Sequence, residues 1–219
     1  MKKLFIAFFA AALLVACNDA AKTDTNSSTA STTEIKTDTS SNADAWVSVD
    51  SATAMQKMTE AGTPGEQHKL LAKDDGKWTA NTSMWTSLDA SPMVIKSVAT
   101  NKMILGGRYQ ETSFKCDFMG IPYEGTGTTG YDNTKKVFFT TWIDNMSTMF
   151  LNMEGTWDDA SKTINFKGRM ICPANNKECE VRQTYKIIDD NHHVMEMYGP
   201  DMKTGKEYKN MEVKLTRGA

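Results

Sequence analysis

The chain has 219 residues, of which 40% are hydrophobic, and a formal net charge of −2 at pH 7. That length allows one or two domains. Nucleic-acid binding requires a basic stripe that displaces counterions from the phosphates, and no run of Lys and Arg provides one. We therefore expect no nucleic-acid partner.

The N-terminus has the pattern of a secretion signal. Lys2 and Lys3 precede an apolar run, residues 4–15, which is shorter than the roughly 20 residues that span a membrane. The run ends in Leu14-Val15-Ala16-Cys17, which resembles the lipobox of bacterial lipoproteins, where the cysteine is lipidated and becomes the first residue. This predicts a signal peptide at residues 1–16 and a lipid anchor at Cys17. The alternative is an ordinary signal peptide with a chance cysteine.

A polar segment follows the predicted anchor. Between residues 18 and 45 the only bulky apolar residue is Ile35, among many Ser, Thr, Asp and Asn. Such a segment buries too little surface to offset its ordering entropy. We expect residues 17–45 to be a disordered tether with a reach of about 30 Å, and residues 46–219 to form one folded domain. The protein is then expected in the bacterial cell envelope, lipid-anchored on the extracytoplasmic side, in the periplasm or at the outer membrane.

Two helices are predicted at the start of the domain, over Ser51–Glu60 and Thr63–Lys73. In the second, Thr63 is the expected N-cap, with Pro64 at the first helical position and Glu66 completing a capping box.

From Gly76 onward the sequence is typical of strands. Short runs rich in Thr, Val, Ile, Phe and Tyr alternate with turn residues, and the longest predicted strand is Met103–Phe118. In Thr163–Cys172, Ile164 and Phe166 share one face, opposite Asn165. About ten such strands without intervening helices predict an all-β antiparallel up-and-down barrel or a sandwich, preceded by one or two short helices.

The last strand places an arginine on its apolar face. Arg217 alternates with Val213 and Leu215, and a guanidinium in that position needs a flat partner. Trp78, in the first strand, is a candidate through cation–π stacking. This pairing resembles the closure of lipocalin-type barrels.

Further motifs occur in a fixed order along the chain. They are His68, Gly76-x-Trp78, Leu105-Gly106-Gly107-Arg108-Tyr109, Gly120-Ile121-Pro122-Tyr123-Glu124-Gly125, Gly130-Tyr131-Asp132, Thr141-Trp142-Ile143-Asp144, Glu196-Met197-Tyr198 and Arg217. Together they resemble the bacterial family called domain of unknown function 1579, over residues 67–217. The resemblance implies a lipocalin-like barrel and no established activity.

A ligand pocket is the leading functional hypothesis. Trp142 would supply an apolar wall, and Arg108, Glu124, Asp144 and Glu196 would supply polar groups, as in many small-molecule sites. The predicted ligand is small and partly apolar. The alternative is an internal salt-bridge network in a filled barrel, which would make the protein a structural or interaction lipoprotein.

Two glycines in the same region allow two interpretations. Gly125 and Gly127 lie within a predicted strand, where glycine usually marks a bend. The other role is a close approach of the backbone to a ligand.

No residue pattern selects a metal, a cofactor or a catalytic group. The histidines, His68, His192 and His193, lack the spacing of a zinc site, and no catalytic signature is present. Paired carboxylates such as Glu124 and Asp144 could act in acid–base chemistry, but nothing singles them out. The sequence favours a non-enzymatic role.

The cysteines predict one disulfide. Cys172 and Cys179 flank a predicted hairpin loop, and an oxidising compartment would allow them to pair. Cys116 is then expected to be a buried free thiol.

Overall fold

The computed structural model of the protein describes residues 46–218, so the predicted signal peptide, Cys17 and the tether lie outside the described residues. Two helices and ten strands belong to a compact unit that spans Ser48–Ala219. Their bounds are α1 Ser51–Gly62, α2 Glu66–Ala72, β1 Gly76–Met84, β2 Met93–Ile104, β3 Tyr109–Phe118, β4 Ile121–Asp132, β5 Val137–Asp144, β6 Leu151–Asp158, β7 Thr163–Cys172, β8 Lys177–Asp189, β9 His192–Pro200 and β10 Glu207–Arg217. Neither helix in this part of the chain has the length and apolarity needed to cross a membrane.

The ten strands form a closed antiparallel barrel. Each strand pairs with its neighbours in the chain, and β1 pairs with β10 to complete the ring. Alternation of side chains gives each strand an inward and an outward face: in β7, Ile164 and Phe166 are buried, whereas Asn165 is exposed. The predicted all-β up-and-down barrel is confirmed.

Successive strands run in opposite directions, so the connections gather at two ends of the barrel. One end carries α2 and the connections after β2, β4, β6 and β8; we call it the closed end. Leu71 of α2 packs there against Phe138 and Met153, and the Gln110 amide donates to the Leu71 carbonyl at 2.6 Å. Helix α2 therefore covers this end. The other end carries the connections after β1, β3, β5, β7 and β9; we call it the open end.

The interior is packed in its closed half and accessible near the open end. Two buried clusters fill the closed half: one contains Leu71, Phe138, Met153, Ile164, Phe166 and Val181, the other Trp78, Ala80, Ala99, Val213 and Leu215. Cys172 is buried near the open end, but most inward-facing side chains there are half-buried, among them Met84, Met93, Phe118, Tyr123, Asp144, Met170 and Met211. The lumen therefore remains accessible to solvent at its open end.

One predicted strand is interrupted by a turn. The chain reverses between β2 and β3, where Leu105, Gly106 and Gly107 have φ angles of 50°, 69° and 79°. Glycine adopts this left-handed region without steric cost, so the pair of glycines makes the reversal possible. The predicted strand Met103–Phe118 was wrong at this point.

The cap of α2 also differs from the prediction. The helix begins at Glu66, with Gly65 as its N-cap, and the His68 Nδ1 atom accepts a hydrogen bond from the Gly65 N–H at 3.0 Å. The Thr63 hydroxyl instead donates to the carbonyl of Thr59 at 2.6 Å, at the end of α1. A buried histidine thus caps the helix from within its first turn.

Arg217 stabilises the seam between β1 and β10, at which the barrel closes. It lies opposite Trp78 in the β1–β10 ladder, and its guanidinium carbon is 4.3 Å from the indole centroid. The guanidinium also donates to the carbonyl oxygens of Lys73, Asp75 and Asp190, at 2.6, 2.7 and 2.9 Å. The predicted stacking is present, and one side chain joins both edge strands to the helix–strand junction and the β8–β9 turn.

We predict that Arg217→Ala lowers the free energy of unfolding by about 3 kcal/mol, because the stacking and three charge-assisted hydrogen bonds are lost together. Lys214→Ala is the matched control, since Lys214 is exposed on the same strand and pairs only with Glu212, at 3.1 Å. That change should cost less than about 1 kcal/mol. Urea denaturation of both variants is the measurement, and equal losses would contradict the role of Arg217.

Candidate functional site

The structure brings together only two of the five residues predicted to bind a ligand. Arg108 is exposed in the β2–β3 turn, where its Nη1 donates to the Leu105 carbonyl. Glu124 points outward and pairs with Lys115 at 2.9 Å, with both side chains about 60% exposed. Glu196 is also on the outer face, where it accepts hydrogen bonds from Lys209 and Tyr198 at 3.0 and 2.8 Å. The pocket prediction was wrong for these three.

The register explains the error for Glu124. Gly125, not Glu124, lies opposite Asp144 in the β4–β5 ladder. Directly opposite residues share a face, and neighbours along a strand do not. Glu124 and Asp144 therefore lie on opposite faces of the barrel wall.

Trp142 and Asp144 face inward and meet Tyr123 near the open end. The Trp142 Nε1 donates to the Tyr123 hydroxyl at 3.1 Å, and that hydroxyl lies 3.4 Å from Asp144 Oδ2, to which it donates. Asp144 Oδ1 accepts from the backbone N–H groups of Met146 and Ser147. We call Tyr123, Trp142 and Asp144 the mouth cluster.

The electrostatics of the mouth cluster keep Tyr123 protonated. Burial raises the pKa of its phenol, and the nearby charge of Asp144 raises it further. The hydroxyl is thus a permanent donor at neutral pH. From the described part of the chain, Asp144 Oδ2 receives only this one long hydrogen bond, so it retains the capacity to accept another from a ligand.

The two glycines of β4 make room for the mouth cluster. A Cβ atom at Gly125 would overlap the Trp142 ring, and one at Gly127 would lie 2.9 Å from it. The indole therefore lies against bare backbone, with Phe114 packed edge-on at 6.3 Å between ring centroids. Close packing of Trp142 accounts for Gly125, and at Gly127 the Thr141 carbonyl oxygen, 2.5 Å from an added Cβ, also excludes a side chain. Neither sequence interpretation included this packing.

A second cluster of polar groups lies buried at the closed end. His193 lies 4.5 Å from the Trp78 ring between centroids, beside the ring that also carries Arg217. The His193 Nδ1 atom is 2.9 Å from the Tyr185 hydroxyl and 3.4 Å from Asp74 Oδ1. We call Asp74, Tyr185 and His193 the closed-end cluster. The sequence analysis missed this cluster: it considered His193 only as a possible zinc ligand and assigned no functional role to Asp74.

Burial sets the protonation of the closed-end cluster. It raises the pKa of Asp74 from 3.8 to about 7 and lowers that of His193 from 6.5 to about 4. Within residues 46–218, Asp74 Oδ1 has no hydrogen-bond partner, and it lies 3.4 Å from His193 Nδ1. At neutral pH the imidazole is neutral, and the carboxyl group is close to its titration midpoint.

The predicted disulfide is not formed. Cys172 and Cys179 are free thiols, because the β7–β8 register places Cys179 opposite Met170 and Cys172 opposite Lys177. The cysteines are therefore diagonal neighbours, roughly 7–8 Å apart in an antiparallel pair, whereas a disulfide requires Cβ atoms about 4 Å apart. Cys116 is a half-buried free thiol.

Two surface grooves accompany the lumen. One of about 610 Å³ lies where α1, α2 and the β4–β5 turn meet. The other, of about 440 Å³, lies at the open end and is lined in part by the inward-facing Cys172 and Cys179. Among residues 46–218, no three His, Cys, Asp or Glu side chains converge in the way that a metal site requires.

The closed-end cluster predicts an opposing pH dependence in two variants. From about pH 4 to 7 the folded protein retains a proton on Asp74 that the unfolded chain has lost, so this group lowers stability as the pH rises, by at most roughly 4 kcal/mol. His193 has the opposite effect on stability. Between about pH 6.5 and 4 the unfolded chain binds a proton on this histidine that the folded protein does not, so His193 lowers stability as the pH falls.

In urea unfolding across this range, the free energy of unfolding of Asp74→Asn should therefore exceed that of the wild type by an amount that grows towards pH 7 and is then constant. For His193→Gln, the excess over the wild type should grow as the pH falls below 6.5. If the difference in free energy of unfolding between Asp74→Asn and the wild type does not change with pH, then Asp74 is not a buried carboxyl group that binds a proton in this range.

Comparison with known proteins supports the fold and identifies the family. The crystal structure of Rv2717c from M. tuberculosis matches with a TM-score of 0.55 and 12% identity, over 72% of this chain and all of that one. At this identity the similarity concerns the fold alone. A search of curated proteins finds no match. The sequence profile of the family described as "Protein of unknown function (DUF1579)" matches residues 63–217, most of the chain. The chain belongs to this family.

Proposed function

We propose that the protein is an extracytoplasmic lipoprotein, anchored at Cys17, that binds one small, partly apolar ligand in the open half of its barrel. The observation that carries the proposal is the contrast between the two halves of the lumen. The two buried clusters lie around Leu71 and Trp78, whereas the inward-facing methionines near the open end are only half-buried. These methionines are accessible to a guest molecule.

The lining of the open half fits such a ligand. Met84, Met93, Met170 and Met211 are half-buried there, and methionine adapts its shape to varied apolar surfaces. The mouth cluster adds a few convergent polar groups, which is the usual composition of a small-molecule site. A ligand with an apolar body and one donor group, such as a hydroxyl or an amine, would match the free acceptor capacity of Asp144.

The lipid anchor rests on the sequence pattern at residues 1–17. A basic start, a short apolar run and the lipobox-like ending at Cys17 together support lipidation. Two or more acyl chains on the cysteine would hold the protein stably on a membrane, whereas a single chain would not.

A filled barrel that serves as an interaction lipoprotein is the second candidate. The closed half favours it, because large side chains occupy the space above inward-facing glycines: Phe166 lies over Gly155, and Met153 over Gly168. The two candidates differ only in whether the open half takes up a ligand.

Two tryptophan substitutions on adjacent residues of β7 separate these candidates. Met170 is half-buried and faces the lumen, whereas Arg169 is exposed on the outer face. Met170→Trp should weaken the binding of an apolar fluorescent probe at least about tenfold, because the indole occupies the ligand space. Arg169→Trp should bind as the wild type does, since it loses only a surface ion pair with Glu178.

Fluorescence titration gives both affinities. Absence of saturable binding to the wild type, or equal weakening in both variants, would favour the filled barrel over a ligand site.

Lipidation is tested by metabolic labelling of the intact chain with radioactive palmitate. The wild type should incorporate label and Cys17→Ala should not, because the only predicted acceptor thiol is lost. Cys116→Ala is the matched control and should keep the label, since that thiol lies within β3 of the barrel. Label retained in Cys17→Ala would refute the anchor.

A further inference from the structure

The connections around the open end expose large apolar side chains. We call residues 85–92, 119–120, 145–150, 173–176 and 201–206 the rim. Within the rim, exposed fractions reach 76% for Met119 and 67% for Phe150. The exposed apolar residues of the rim are Leu88, Met119, Met146, Met149, Phe150 and Met202.

The closed end has a different character. Its connections, residues 105–108, 133–136, 159–162 and 190–191, expose a single large apolar side chain, Leu105. They carry charged groups instead, including Arg108, Lys135 and Lys162. Helix α1, beside the β4–β5 turn, exposes Met55 and Met58 as well. Apolar side chains scattered singly over a surface are ordinary, but a concentration on the connections around one opening marks an interaction site.

The charges of the rim are few and on balance positive. Lys203 and Lys206 are exposed, and Asp89 is the exposed acidic residue. Asp201 is buried in its own turn, where it accepts hydrogen bonds from the backbone N–H and the hydroxyl of Thr204. The rim thus combines apolar side chains with two free cationic groups beside them.

We propose that the rim docks onto a lipid bilayer, with its apolar side chains inserted among the headgroups and Lys203 and Lys206 in contact with anionic headgroups. Apolar side chains flanked by lysines suit the boundary between headgroups and acyl chains. They stand on separate loops around an opening, an arrangement that a fluid surface accommodates more readily than a rigid protein face does.

The predicted lipid anchor also favours a bilayer as the partner of the rim. A protein held by acyl chains at Cys17 stays beside a bilayer, so this part of the inference rests on the proposed function. Fully extended, residues 18–45 would span up to about 90 Å, more than twice the length of the barrel strands. An anchored protein can therefore turn its rim towards the membrane.

Docking of the rim also specifies the class of ligand. The mouth cluster and the half-buried methionines lie directly inside the rim, so a bilayer at the rim would face the accessible half of the lumen. A lipid or another single-tailed amphiphile could then pass between bilayer and barrel without crossing water. Such a molecule has the apolar body and polar head that the open half fits.

The test uses the chain from Asn18 to Ala219, which lacks Cys17. It retains every strand pairing and both buried clusters, all of which lie within Leu71–Arg217. The wild-type form should co-sediment with vesicles of phosphatidylethanolamine and phosphatidylglycerol. The double variant Met149→Ser/Phe150→Ser should bind about tenfold more weakly, because two inserted side chains lose their apolar surface.

Two further variants sharpen the result. Leu105→Ser removes an exposed apolar side chain from a connection at the closed end and should bind vesicles as the wild type does. Lys203→Glu/Lys206→Glu should reduce binding to the anionic vesicles while leaving binding to phosphatidylcholine vesicles unchanged, since only the former attract cations. All the substituted residues are exposed, and far-ultraviolet circular dichroism verifies that the barrel is intact.

Three outcomes would overturn the proposal. These are no vesicle binding by the wild type, equal losses in Leu105→Ser and the rim variant, or sedimentation equilibrium showing that the rim variant turns a dimer into a monomer. The last result would make the rim a contact between two copies of the chain. Probe titration in the same samples tests the ligand site separately: intact probe binding without vesicle binding refutes the docking alone.

Discussion

Arg217 contacts three parts of the chain: the indole of Trp78 in the first strand, the carbonyl oxygens of Lys73 and Asp75 in the α2–β1 connection, and that of Asp190 in the β8–β9 turn. An up-and-down barrel must join its first and last strands without a covalent connection between them. Here this seam also receives the end of α2 and the β8–β9 turn. Because one guanidinium satisfies all of these groups, the seam, the helix and the closed end are fixed together.

Closure at one end determines what the other end can do. The ring of Trp78 packs against both Arg217 and His193, and two clusters of buried side chains around Trp78 and Leu71 fill much of that half. The mouth cluster, the half-buried methionines and the apolar rim all lie towards the opposite end. Ligand uptake and membrane contact, as proposed, therefore share one opening, while the closed end provides stability and a pH dependence through Asp74.

The sequence predicts the parts that depend on local pattern. Alternation of apolar and polar residues identified the strands, and the Trp78–Arg217 pair identified the seam. The faces of Glu124 and Glu196 could not be fixed, because a register error of one residue moves a side chain to the opposite face. Tertiary contact brings Asp74 to His193 from a distant part of the chain, and no local pattern reveals such a pair.

The central claim is that the lumen is packed in its closed half and takes up one ligand in its open half. Native mass spectrometry of the intact protein, purified without denaturation, tests this most directly. The wild type should carry one small molecule per chain, released on unfolding, and Met170→Trp should carry none. A wild-type protein whose mass equals that of the polypeptide and its anchor alone, even after incubation with amphiphiles, would contradict the claim.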